Sequence, residues 1–134
     1  MSSILVVGKD EALLEGLAQM LAHEGFAAQT ATNALDAVEL AASQRPLVAV
    51  LERMTAAAHP ELGRLPLDAG GALLIYDIGE QVPEPLPSSL QRLVLAELRL
   101  PLERHRLIAL VHRVEERVRV TGRQSAPPPE RHAE

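Results

Sequence analysis

Three carboxylates in this chain stand where short apolar runs end. Asp10 follows the run 4–7, Glu52 follows 46–51 directly, and Asp77 follows 72–76 directly. Brought together at one edge of a sheet, they would form a paired-carboxylate site able to give and take protons. Tyr76, the only tyrosine, reads first as a core aromatic whose hydroxyl finds a partner. Other chemistries are excluded by type or spacing. There is no cysteine, so thiolate nucleophiles, disulfides and cysteine-ligated metals drop out. His23, His59, His105, His112 and His132 are scattered, and the two on one predicted helix, His105 and His112, stand seven residues apart, too far for a metal clip. Gly63, Gly70 and Gly71 fit neither G-x-x-x-x-G-K-[ST] nor G-x-G-x-x-G, and no serine lies in G-x-S-x-G.

The elements that must position these acids follow from periodicity. At 134 residues the chain has the size of one domain and buries about two-thirds of its unfolded surface on folding. Strand and helix signals alternate, the pattern of a parallel sheet with crossover helices. Ile4, Leu5, Val6 and Val7 form a continuous apolar strand. Asp10 caps a helix over 11–24 that carries Leu13, Leu14, Leu17, Met20 and Leu21, and Gly25 stops it. A weaker strand spans 26–31. Asn33 with Asp36 resembles a capping box for a helix bearing Leu35, Val38 and Leu40 that ends before Pro46. After the strand at 47–51, His59, Pro60, Gly63 and Pro66 leave room for one short helix at most. The fourth strand is 72–76. Pro83, Pro85 and Pro87 postpone any helix to Ser88, whose hydroxyl is expected to cap a brief one. A fifth strand lies near the end of 93–100. Leu107, Val111, Val114 and Val118 mark a last helix that Gly122 is expected to end, leaving 122–134, with Pro127, Pro128 and Pro129, as a disordered tail.

Charge is divided along the chain. Residues 1–98 hold 5 Lys or Arg against 13 Asp or Glu, and residues 99–134 hold 8 against 5. In the later segment Arg99, Arg104, Arg106, Arg113, Arg117, Arg119 and Arg123 are interleaved with Glu103, Glu115 and Glu116, which fits a solvated helix face and argues against a nucleic-acid partner. The apolar runs are too short to span a bilayer and no signal peptide is read at the start, so the expectation is a soluble, cytoplasmic protein.

Order and spacing together resemble the receiver domain of bacterial response regulators over residues 3–120. The likeness rests on the opening strand followed by Asp10, Glu11, Ala12, Leu13 and Leu14, on Gly25-Phe26 and the run 32–37, on Pro46 six residues before Glu52, and on Pro101 before the last helix. The resemblance implies an α/β flavodoxin-like fold, a doubly wound five-stranded parallel sheet of order 2-1-3-4-5, with a reduced third helix and a Pro-rich, shortened fourth. In the family two acidic residues after the first strand help hold magnesium, an aspartate after the third accepts a phosphoryl group, a hydroxyl residue ends the fourth, and a lysine precedes the proline after the fifth. The matching positions here are Gly8 and Lys9, Glu52, Tyr76 and Leu100. Lys9 places an ammonium where a carboxylate is needed, and Glu52 displaces its oxygens by a methylene. The aromatic partner that receivers carry in the fifth strand is Glu97 here.

The expectation is therefore a pseudo-receiver over 1–121, held in one conformation by a Lys9–Glu52 ion pair, with no metal, cofactor or catalytic residue. It would be a phosphorylation-independent signalling or adaptor module, and no DNA-binding output segment is expected after residue 122. The resemblance puts protein contact, including homodimerisation, on the face of the fourth helix, fifth strand and fifth helix. There Glu97, Arg99, Arg104, Arg113 and Arg117 would form reciprocal ion pairs around Leu86, Leu90, Leu93 and Leu95. The competing reading is a small enzyme or ligand-binding protein using a cleft near Gly8, Glu52, Asp77 and Gly79.

Overall fold

A computed structural model describes residues 2–79 and 85–125. Five parallel strands, β1 (Ser3–Val7), β2 (Ala27–Ala31), β3 (Val48–Glu52), β4 (Ala72–Asp77) and β5 (Val94–Arg99), form one sheet of order β2-β1-β3-β4-β5. The expected flavodoxin-like arrangement is thus the observed one. Strand order reverses at β1 and β3, so the crevice outside their carboxyl ends is where such a sheet places a site.

Alternation along each strand divides the core in two. Ile4, Val6, Val48, Val50, Leu74 and Tyr76 face helices α1 (Glu11–His23) and α5 (Arg104–Ser125), meeting Leu14, Leu17, Leu21, Leu107 and Val111. Leu5, Val7, Ala49, Leu51, Leu73 and Ile75 face α2 (Ala34–Gln44), α3 (Arg53–Ala58) and α4 (Ser88–Gln91). Strands buried on both faces explain why β1, β3 and β4 read as unbroken apolar runs.

Local signals act as expected at two helix starts. Asp10 accepts the Leu13 N–H at 3.1 Å, and Asn33 accepts the Asp36 N–H at 2.8 Å while donating to the Asp36 carboxylate. Gly25 follows the α1 C-cap at φ 96°, a left-handed conformation that glycine adopts without strain.

Elsewhere the structure corrects the sequence reading. The buried stripe of α2 is Ala34, Ala37 and Ala41, while Leu35 is 69 % exposed and Val38 also faces outward. Small residues let the helix lie close to the sheet, so size complementarity overrides hydrophobicity there. Between β3 and β4 there are two turns of helix, α3 and the 3-10 turn Pro60–Arg64, because a proline is tolerated at a first helical position. Ser88 does not cap α4; the cap is Pro87, whose carbonyl accepts from Leu90 and Gln91. Gly122 does not end α5, which continues to Ser125, since an interior glycine costs only about 1 kcal/mol. Residues 126–134 and Pro83 lie outside the described residues.

Candidate functional site

β3 ends on Glu52, which is in register with Tyr76 of β4, while β1 ends at Val7 and hands over to Gly8. The Tyr76 side chain is wholly buried and rises along the α1/α5 side of the sheet to these strand ends. Its hydroxyl donates to the Val7 carbonyl at 3.1 Å. A Cβ placed on Gly8 would overlap that hydroxyl, and would stand 3.5 Å from the Glu52 Cβ. Gly8 and Tyr76 are therefore complementary: the absent side chain at one position is the volume occupied by the other. Burial first, then the nearby Glu52 and Asp10 carboxylates, pushes the phenol well above its ordinary value, so the group at the centre of the crevice is a neutral donor.

The carboxylates are each engaged separately. Glu52 accepts from Thr55 Oγ1 at 2.7 Å, a bond made possible because α3 starts in the next residue. Asp10 caps α1 at the surface. Asp77 receives Arg53 Nε at 2.9 and 3.1 Å. Each of the three acids that could have made a paired-carboxylate site thus has its own partner, and the expected Lys9–Glu52 ion pair is not formed. Lys9 is exposed, and among the described residues it has no carboxylate within 4.0 Å. A magnesium ion of the kind the resemblance implies does not fit this donor set. Gly8 offers no side chain, Lys9 is cationic, Glu52 is hydrogen-bonded to Thr55, and the Tyr76 hydroxyl stands in the crevice. Among the described residues no three His, Asp or Glu side chains cluster as metal ligands.

The cation that matters is Arg53, which the sequence reading passed over. Its guanidinium is buried, held by Asp77 at the end of β4 and by Glu97 of β5. Gln91 of α4 adds a bond to Glu97 at 3.2 Å. One side chain thus ties α3, β4 and β5 together, at the strand position where the resemblance expects an aromatic. A buried guanidinium needs such carboxylates, because leaving it unpaired costs several kcal/mol, about 3–5. The available signal was spacing: an arginine beginning a helix directly after a strand, with an acid ending the next strand and another inside the one after it. Leu100, where the resemblance expects a lysine, is buried in the α1/α5 core and can contact no anion.

The expected contact residues are in part committed within the chain. Glu97 serves Arg53, and the guanidiniums of Arg99, Arg104 and Arg117 donate to the carbonyls of Gly79, Pro101 and Gly70. Arg113 is exposed. Leu90 is buried and Leu86 packs on the core, whereas Leu93 and Leu95 are 53 % and 45 % exposed. Leu95 is the extra residue of a bulge, since Val94 pairs with Leu73 and Ala96 with Leu74.

This sheet order, with helices on both faces, is the architecture of receiver domains, and solved structures of that fold superpose on it. The signal receiver domain of a putative LuxO repressor from Vibrio parahaemolyticus is 16 % identical, covering 94 % of this chain and 98 % of that one, with a TM-score of 0.70. A response regulator receiver protein from Burkholderia phymatum is 25 % identical over 85 % of this chain and 94 % of its own, with a TM-score of 0.61. A response regulator from Burkholderia pseudomallei, solved with a phosphorylated aspartic acid, calcium ion and citrate, is 16 % identical over 95 % of this chain and 76 % of its own, with a TM-score of 0.69. No family model and no curated protein matches the chain. No helix among the described residues is long and apolar enough to cross a membrane.

Proposed function

We propose that this protein is a phosphorylation-independent signalling or adaptor module on the receiver fold, acting through protein contacts and catalysing no reaction. The observation that carries this reading is the Tyr76 hydroxyl seated against Gly8 at the crevice. Phosphoryl transfer depends on charge gathered around the transferring group. Around its neutral phenol the crevice holds the Glu52 carboxylate, already bonded to Thr55, and the Asp10 carboxylate, already capping α1, while Lys9 is exposed, Leu100 is buried and the Arg53 guanidinium is taken by Asp77 and Glu97. The Burkholderia pseudomallei regulator carries its phosphoryl group on an aspartic acid; the position matching the family's acceptor is Glu52 here. Static coupling replaces switching in this reading, with Arg53 holding β4 and β5 through Asp77 and Glu97.

Signalling then belongs to a surface in a cytoplasmic protein. The face of α4, β5 and α5, with Arg99, Arg104, Arg113, Arg117 and the rim of Glu97, surrounds the exposed Leu93 and Leu95, and suits a protein partner or a second copy of the chain. The test of the central reading is incubation with acetyl phosphate and magnesium followed by intact-mass measurement. The expected spectrum shows the unmodified mass alone. An acid-stable, hydroxylamine-sensitive phosphoryl adduct on Glu52 would overturn the proposal.

A further inference from the structure

Beside the closed crevice, at the carboxyl ends of β4 and β5, lies an open groove of about 390 Å³ lined by Gly79, Arg99, Leu100, Pro101, Leu102 and Arg104. Its walls are mainly apolar, and Leu102, 78 % exposed, is the most exposed large apolar side chain among the described residues. Two guanidiniums flank it. Arg99 donates to the Gly79 carbonyl at 3.0 Å and Arg104 to the Pro101 carbonyl at 3.4 Å, and among the described residues neither guanidinium has a carboxylate within 4.0 Å. The neighbouring acid, Glu103, is occupied by the Arg99 N–H at 2.7 Å and by the Arg106 guanidinium. Each arginine keeps further N–H donors in its planar fork. On a chain of net charge -5, this is a local positive field over an apolar floor.

We infer that the groove docks a short segment of a partner protein in which a carboxylate stands beside a large apolar side chain. The apolar side chain would lie over Leu102 and Pro101, and the carboxylate would take the free donors of Arg99 and Arg104, a bidentate geometry that suits guanidinium. Charge complementarity selects an acidic segment. A single-stranded nucleic acid fits less well, because base stacking needs exposed aromatic rings and the only Phe and Tyr of the chain, Phe26 and Tyr76, are buried in the core. This inference rests on the protein-contact reading proposed above and gives that contact a chemistry.

The experiment is selection of a displayed library of random short peptides on the full chain, with counter-selection on Arg99→Glu/Arg104→Glu. Affinity for a fluorescent synthetic copy of the selected consensus is then measured by anisotropy. The expected consensus places Asp or Glu next to Leu, Ile or Phe. Binding should weaken about tenfold or more in Arg99→Glu/Arg104→Glu and in Leu102→Asp, and should hold in Arg64→Glu/Arg92→Glu, the same charge change as the double variant at two exposed arginines that do not line the groove. Because Leu102 is a surface position, Leu102→Asp keeps the test sound should the double variant fold poorly. No acid-plus-apolar consensus, an affinity unmoved by both groove variants, tighter binding of a single-stranded oligonucleotide than of the peptide at the same residues, or loss of peptide binding through self-association of the chain would each overturn the inference. Repeating the titration with magnesium and beryllofluoride separates the two proposals: binding that appears only then leaves the groove in place and refutes independence from phosphorylation.

Discussion

Adding one methyl group at Gly8 tests whether the Tyr76 hydroxyl fills the crevice. In Gly8→Ala the new Cβ overlaps the hydroxyl, while the next ring atom, Cζ, stands 3.3 Å away, a tight contact that small shifts relieve. The hydroxyl cannot retreat freely, because the ring is wholly buried and its oxygen is fixed on the Val7 carbonyl. Overpacking of this kind costs about 1–3 kcal/mol. Tyr76→Phe alone loses one buried hydrogen bond, about 0.5–1.5 kcal/mol. In the double variant the clashing atom is gone, so the two losses should not add, and the cycle should show a coupling of about 1–2 kcal/mol in the direction of relief. Urea unfolding followed by far-ultraviolet circular dichroism on the four proteins supplies the cycle. Losses that add to within about 0.3–0.5 kcal/mol would mean the hydroxyl does not stand against Gly8, and the closed-crevice account would fail.

Two further outcomes follow from the same contacts. Burial, Glu52 and Asp10 raise the folded phenol above its ordinary 10.0, so stability it contributes is complete below pH 10 and is lost as pH climbs from there toward the folded value, by up to about 1.36 kcal/mol per unit. With one tyrosine and no tryptophan, near-ultraviolet absorbance should report phenolate only as circular dichroism is lost; phenolate forming near pH 10 in a folded protein would contradict the burial. Arg53→Met should cost about 2 kcal/mol by urea unfolding, most of it from stranding the less exposed Asp77, since half-exposed Glu97 is screened. Adding Asp77→Asn and Glu97→Gln should restore more than half of that loss.

The strands β1, β3 and β4 and two of the three sequence-marked helix caps, Asp10 and Asn33, were legible because local rules suffice for them, whereas the sheet order came from the family resemblance and the Ser88 cap failed. Continuous apolar runs specify strands covered on both faces, and Asp10 and Asn33 act within three residues of themselves. What escaped were relations between distant segments. Nothing local marks Arg53 as buried, since its burial depends on Asp77 and Glu97 arriving from two later strands. Lys9 and Glu52 stood at adjacent strand ends in the sequence reading, yet Thr55, three residues from Glu52, offers a nearer partner and Lys9 turns to solvent. The fit of Tyr76 to Gly8 depends on ring direction across the sheet, which spacing alone does not determine. In α2, Leu35 and Val38 drew attention to the outer face, although Ala34, Ala37 and Ala41, with Leu40 beside them, make the contact.

The most direct measurement is an amide chemical-shift titration of the full chain with magnesium and then beryllofluoride, a stable stand-in for the phosphoryl group. The account predicts that the amides of Gly8, Glu52 and Tyr76 do not move beyond the general effect of ionic strength. Saturable shifts at those three residues, appearing with magnesium and growing with beryllofluoride, would show an open, metal-binding crevice and contradict the account.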